Sequence, residues 1–69
     1  MDKSEIAKTI KQRRKELNVT QQDLAFLSGI SLRQLSKIEC AKASVTIDTL
    51  NKICTVLGLR VVIEADYES

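Results

Sequence analysis

Histidine, proline and tryptophan are absent from the 69 residues, and glycine and cysteine occur only twice each. Without histidine there is no imidazole to act as a general base, and a structural zinc site would lack its usual ligand set. The two glycines lie too far apart to build a phosphate loop, and no carboxylate cluster suggests a metal site. An enzyme is therefore not expected, and no metal or cofactor is called for. Cys40 and Cys54 stand fourteen positions apart without CxxC spacing, so a disulfide is not expected. Free thiols fit a reducing cytoplasm, and Cys54 falls on an apolar helical stripe where it reads as core. There is no apolar run of about 18 residues and no signal-peptide architecture, which points to a soluble, cytoplasmic protein with no membrane partner.

What remains is a short chain of helical character. Its length allows one domain with a small core, a size class that often draws stability from a partner subunit. The net charge of +2 hides an asymmetry: residues 1–39 carry eight Lys/Arg against five Asp/Glu, whereas residues 40–69 carry three against four. A polyanion would dock on the first half.

With no proline, no low-complexity stretch and no linker, the pattern predicts short helices joined by tight turns. Ser4 is placed to cap a first helix reaching about Leu17, with Ile6, Ile10 and Leu17 on one stripe and Asn18 ending it. Three later starts repeat one chemistry. Thr20 caps a second helix with Asp23 at N3, and Val19 with Leu24 forms a hydrophobic staple. Gly29 stops that helix, and Ser31 with Gln34 makes a full capping box for a third, stapled by Ile30 and Leu35. Thr46, with Val45 and Leu50, starts a fourth that carries Ile47, Leu50, Ile53 and Leu57 inward and ends at Gly58.

The run RVVIE at 60–64 then breaks the helical pattern. Leu59, Val61 and Ile63 alternate with Arg60, Val62 and Glu64, and β-branched residues dominate, as in a strand. No other segment offers it a partner, so it stays frayed or pairs with another chain. The acidic stretch 65–69, with Tyr67 its one apolar anchor, reads as a mobile tail.

Helices two and three meet in a few residues around Gly29, which matches a helix-turn-helix whose second helix can enter the DNA major groove. Any small bundle contains such a corner. The outer face of helix three adds chemistry. Spacing of about 100° per residue turns Leu35 and Ile38 inward, leaving Arg33, Ser36 and Lys37 outward with Leu32 at the edge and no carboxylate among them. Arg pairs bidentately with guanine, Lys reaches guanine or phosphate, Ser serves either, and Leu packs on a thymine methyl. Gln21, in the Thr20-capped first turn of helix two, is placed to clamp a phosphate. Glu39 lies close to that side and would repel phosphate unless neutralised, and Arg14, one turn after Ile10, is positioned to pair with it.

Arg14, the run TQQDLAFLSGIS from Thr20 to Ser31, and LSKIE ending at Glu39 resemble the lambda-repressor and Cro-type (XRE-like) helix-turn-helix domains. The pattern R-x6-Q-x2-LA-x3-G-x9-E sits at the family spacing, and the resemblance covers roughly residues 4–57. It implies phosphate contacts from Gln21 and Ser31, base-edge contacts from Leu32, Arg33 and Lys37, and a buried ion pair of Arg14 with Glu39. One departure follows Glu39, where the family usually shows Asn-Gly and this chain has Cys40 and Ala41. Without that glycine, helix three is expected to run on.

The segment LGLRVVIE is similar to HipB-like antitoxins, in which a strand after the fourth helix pairs across a two-fold axis. The fold expected is thus an all-α helix-turn-helix bundle of four to five helices with one C-terminal β-strand that pairs across a homodimer through Arg60, Val61, Val62, Ile63 and Glu64. Residues 1–58 would form the DNA-binding domain, 59–64 the dimerisation strand and 65–69 the tail. The function implied is a repressor of a pseudo-palindromic operator on double-stranded DNA, the antitoxin of a type II toxin-antitoxin pair that autoregulates its operon and binds a HipA-like kinase toxin. The alternatives are a stand-alone phage or chromosomal Cro/repressor-type regulator, or a protein-sequestering module with secondary DNA binding.

Overall fold

The computed structural model describes residues 2–66. Four helices follow in order: α1 Lys3–Glu16, α2 Gln21–Ser28, α3 Leu32–Glu39 and α4 Ile47–Leu57. Helices α1 and α2 each pack against both α3 and α4. Between them lies one core of Ile10, Leu24, Ala25, Leu35, Ile38, Leu50, Ile53, Cys54 and Leu57. Cys54 is buried, Cys40 is exposed, and both are free thiols. Burial pushes the Cys54 thiol above its ordinary range, because the thiolate would lose its hydration.

The helix starts follow from local chemistry. Thr20, Ser31 and Thr46 all take extended backbone and accept a hydrogen bond from the backbone N–H three residues on, at 3.0, 3.0 and 3.2 Å. The residue before each cap, Val19, Ile30 or Val45, packs half-buried on the core, as the staple requires. The first helix departs from expectation. Its cap is Asp2, whose Oδ1 accepts from the Glu5 N–H at 2.9 Å, so the helix begins before Ser4 and takes Ser4 into its first turn. Asp offers the same side-chain acceptor and adds a negative charge at the positive end of the helix dipole.

The helix ends share a second device. Asn18, Gly29, Ala41 and Gly58 have φ of 56, 72, 60 and 69°. After each, the next residue's N–H donates five residues back: Val19 to Arg14, Ile30 to Ala25, Lys42 to Lys37 and Leu59 to Cys54, at 3.0, 3.0, 2.9 and 2.8 Å. This is the closing bond of a Schellman turn. The expected extension of α3 is therefore corrected: α3 ends at Glu39, and Ala41 takes the left-handed conformation that the sequence pattern assigns to glycine. The Lys42–Lys37 bond and the reversal needed to start α4 outweigh the crowding at the alanine Cβ.

Two apolar positions differ from expectation. Ile47 is 60 % exposed, while Cys54, read from the sequence as core, is buried on the inner face of α4 beside Leu50, Ile53 and Leu57. Leu17, at the close of α1, is likewise exposed. Beyond Gly58, Leu59 and Val61 pack on the core, while Val62 is 52 % and Ile63 93 % exposed. Among the described residues there is no strand: residues 59–66 form no ladder within the single chain. A strand needs a neighbour to satisfy its backbone, and none is folded beside it here. Of the tail at 65–69, Tyr67, Glu68 and Ser69 lie outside the described residues. No described helix is long and apolar enough to cross a membrane, and no group of His, Cys, Asp and Glu among the described residues is arranged to hold a metal ion.

Candidate nucleic-acid interface

Helix α3 takes its orientation from the turn before it. Gly29 is left-handed with open space where a Cβ would stand, and the chain passes from the end of α2 at Ser28 to the Ser31 cap within two residues. Leu35 and Ile38 are then drawn into the core at 0 and 2 % exposure. With the apolar face committed, the opposite face is open: Leu32, Arg33 and Lys37 are exposed and Ser36 is half-buried. Gln34, which sequence reasoning used only for its place in the capping box, is exposed on the same helix. Its amide suits adenine, and the signal that could have found it is its angular position at the flank of the Arg33–Lys37 face. Neither Arg33 nor Lys37 is in an ion pair among the described residues. The face therefore offers two uncompensated cations, an amide, a hydroxyl and one apolar side chain.

Behind this face stands a polar clamp. Arg14 donates from Nε to Glu39 Oε2 at 2.8 Å and from Nη2 to Glu39 Oε1 at 2.9 Å, a bidentate pair. Arg14 Nη1 also donates to the Val19 carbonyl at 2.9 Å. Gln21 Nε2 donates to the same Glu39 Oε1 at 3.1 Å. The Glu39 carboxylate thus ties α1 and the first residue of α2 to the last residue of α3, and Arg14 adds the turn after α1. The Glu39 side chain is only 1 % exposed and that of Arg14 11 %. The hydrogen bond to Glu39 and, less strongly, its charge push the Arg14 guanidinium above its ordinary range, against the desolvation that burial imposes. A buried pair of this kind fixes geometry more than it adds net stability.

The clamp changes how Gln21 is understood. The sequence places it in the first turn of α2 to clamp a phosphate; in the structure it is half-buried and its amide is directed back onto Glu39. One Nε2 proton is engaged, and the amide has a second to donate. Ser31 is similarly committed through its Oγ acceptor to the Gln34 N–H, keeping its own hydroxyl proton to donate. Arg13 was not anticipated at all: its Nε donates to the Leu57 carbonyl at 2.9 Å, closing the end of α4 from α1. Its partner lies 44 residues away, so no local pattern announces it. Residues 60–62 and Glu64 line a groove together with α1 and α4 and take no part in this clamp.

The helix-turn-helix family matches residues 10–62, a span that contains α2, α3, α4 and the second half of α1. A solved structure, described as an HTH_3 family transcriptional regulator from Vibrio cholerae, is 38% identical and superposes with a TM-score of 0.79, covering 84% of this chain. The match covers 33% of that protein, so this chain corresponds to about one third of its length. No curated protein matches the chain. With the family match spanning most of the fold and the Gly29 corner holding α2 against α3, the chain belongs to the helix-turn-helix family.

Proposed function

We propose that this protein is a sequence-specific DNA-binding transcriptional regulator that inserts α3 into the major groove and acts as a repressor, without catalysis. The observation that carries the reading is the outward face of α3, where exposed Arg33 and Lys37 stand with no carboxylate between them on a helix fixed from behind by Glu39. Arg33, Lys37 and Leu32 contact base edges, with Ser36 beside them. Gln21 and Ser31 hold phosphates. The printed description of the Vibrio cholerae structure supports a regulatory role.

Selection from a random duplex pool at about 150 mM salt, where nonspecific phosphate binding is suppressed, tests this. A motif with two-fold symmetry is expected. Arg33→Ala or Lys37→Ala then costs about 1–3 kcal/mol and relaxes base preference, whereas Gln21→Ala weakens all sequences alike. If the three variants select and bind the same motif unchanged, α3 is not the reading helix.

The protein acts as a homodimer in this reading, with Arg60 to Glu64 as its dimerisation strand, residues 1–58 as its DNA-binding domain and residues 65–69 as a separate tail. A two-fold dimer sets two α3 helices about 34 Å apart, one turn of DNA. Residues 60–64, which form no ladder within the chain and leave Ile63 in solvent, support it. Removal of residues 60–69 is expected to give a monomer by sedimentation. The likeness of LGLRVVIE to HipB-like antitoxins extends the proposal to a type II toxin-antitoxin pair that autoregulates its operon, with a HipA-like kinase toxin as second partner. Co-expression and joint purification with such a kinase tests that extension. A chain that neither enriches a DNA motif nor retains a kinase overturns both roles.

A further inference from the structure

Two adjacent arginines near the end of α1 face different neighbours, and together they fix which side of that helix meets which partner. Counted at about 100° per residue from buried Ile10, Arg14 lies roughly 40° to one side and Arg13 roughly 60° to the other. Arg14 meets Glu39 at the end of α3, and Arg13 meets the Leu57 carbonyl at the end of α4. On the same count Lys11 and Lys15 continue past Arg14, roughly 100° and 140° from Ile10, and both are exposed. Glu5, Thr9 and Glu16 fall on the Arg13 side, where Glu16 pairs with Arg13 at 3.6 Å.

Charge around α1 is thus sorted by side: both of its glutamates stand toward α4, and Lys11 and Lys15 stand beside α3. The two lysines are four residues apart, which sets like charges one above the other on the helix and costs stability. Neither is in an ion pair among the described residues. The helix dipole favours Lys15 in the last turn but not Lys11, which stands more than a turn earlier. An anion from outside the chain relieves a repulsion that the chain itself leaves uncompensated.

The place these lysines occupy adjoins the outward face of α3. Glu39 brings Arg14 and Gln21 together at the end of α3. The same end carries exposed Lys37, and the 2.9 Å bond from the Lys42 N–H to the Lys37 carbonyl holds exposed Lys42 there as well. Glu39, the carboxylate at this junction, is buried and already bonded. We propose, on the DNA-binding reading above, that Lys11 and Lys15 bind phosphates of one DNA strand at the edge of the groove that α3 enters. Their separation of about 6 Å along α1 suits a run of phosphates rather than a single one. Helix α1 then holds the backbone beside the place where Gln21 meets it, and adds affinity without reading bases.

The test uses the full chain and the duplex enriched by the selection described above. The binding constant is measured against salt from about 50 to 200 mM for the wild type, Lys11→Gln, Lys15→Gln, the double variant and Lys52→Gln. Lys52 is exposed on α4, and α1 and α2 pack between α4 and α3, so its loss removes the same charge away from the proposed contact. Each α1 change is expected to lower the logarithmic salt slope by about 1 and the double change by about 2, with the selected motif unchanged. Lys52→Gln is expected to keep the wild-type slope. Ethylation of single backbone phosphates gives a second readout: one or two phosphates whose ethylation weakens the wild type are expected to have no effect on the double variant. A charge acting only through the general field would leave that set unchanged. Slopes for the α1 variants that match that of Lys52→Gln, or an unchanged set of interfering phosphates, overturn the contact while leaving α3 as the reading helix. A wild-type chain that enriches no motif overturns the DNA reading and this contact with it.

Discussion

Glu39 and Ile63 mark two regions held in opposite ways. Glu39 is buried at the meeting of three helices and accepts three side-chain hydrogen bonds, two from Arg14 and one from Gln21. Ile63 lies beyond the last helix, 93 % exposed beside an open apolar groove. The first region is complete within one chain, because a buried carboxylate tolerates no missing partner. The second leaves aliphatic side chains in solvent, and exposed aliphatic area gains by meeting another surface. The contrast separates two tasks: the clamp sets the angle at which α3 is presented, and the C-terminal segment carries the dimerisation proposed above.

The comparison breaks most forcefully at Glu39. Glu39→Ala leaves the Arg14 guanidinium buried without its carboxylate and is expected to lower the unfolding free energy by about 3–5 kcal/mol in urea titration. Replacing both partners together, as Arg14→Met with Glu39→Leu, is expected to recover a large part of that loss, since no uncompensated charge remains. If the single change is as mild as a surface substitution, the clamp does not govern the geometry assigned to it.

A smaller effect is expected just beyond the clamp. Ala41 holds φ of 60° after α3, so Ala41→Gly removes the steric cost of a Cβ in a left-handed turn. The change also loosens the unfolded chain. The net gain is about 0.5–1 kcal/mol in the thermal midpoint analysis, because relief of strain exceeds the entropy term at such a site. A loss on introducing glycine would mean that the turn is not strained by alanine.

The smallest effect on folding belongs to the other region. Ile63→Ala is expected to leave the unfolding free energy of the isolated chain within about 0.5 kcal/mol, as for other exposed positions. The same substitution is expected to weaken association in sedimentation. A large loss of monomer stability would place Ile63 in its own chain's core and remove the contrast with Glu39.

Several parts of the fold were legible in the sequence because their chemistry is local. The Thr20, Ser31 and Thr46 caps, the staples of Val19, Ile30 and Val45, and the glycine stops at 29 and 58 each involve residues within five positions of one another. The outward face of α3 was legible for the same reason, as helical spacing places Arg33 and Lys37 opposite Leu35 and Ile38. Where two residues compete for one local role, the sequence is less decisive: Asp2 and Ser4 both suit a cap, and the packing of Ile6, Ala7 and Ile10 against the bundle favours the earlier start.

By itself, then, the sequence determined where α2, α3 and α4 start, the outward face of α3 and the corner at Gly29, since each depends on spacing of 3.6 residues or on a cap and its near neighbours. Only the tertiary structure decided that Gln21 turns onto Glu39, that Arg13 closes α4 at Leu57, that Ala41 bears a left-handed turn, and that Ile47 lies in solvent. These join or separate residues distant along the chain, and such contacts are settled by how whole helices pack, where the cost of one strained or exposed residue is outweighed by the burial of many.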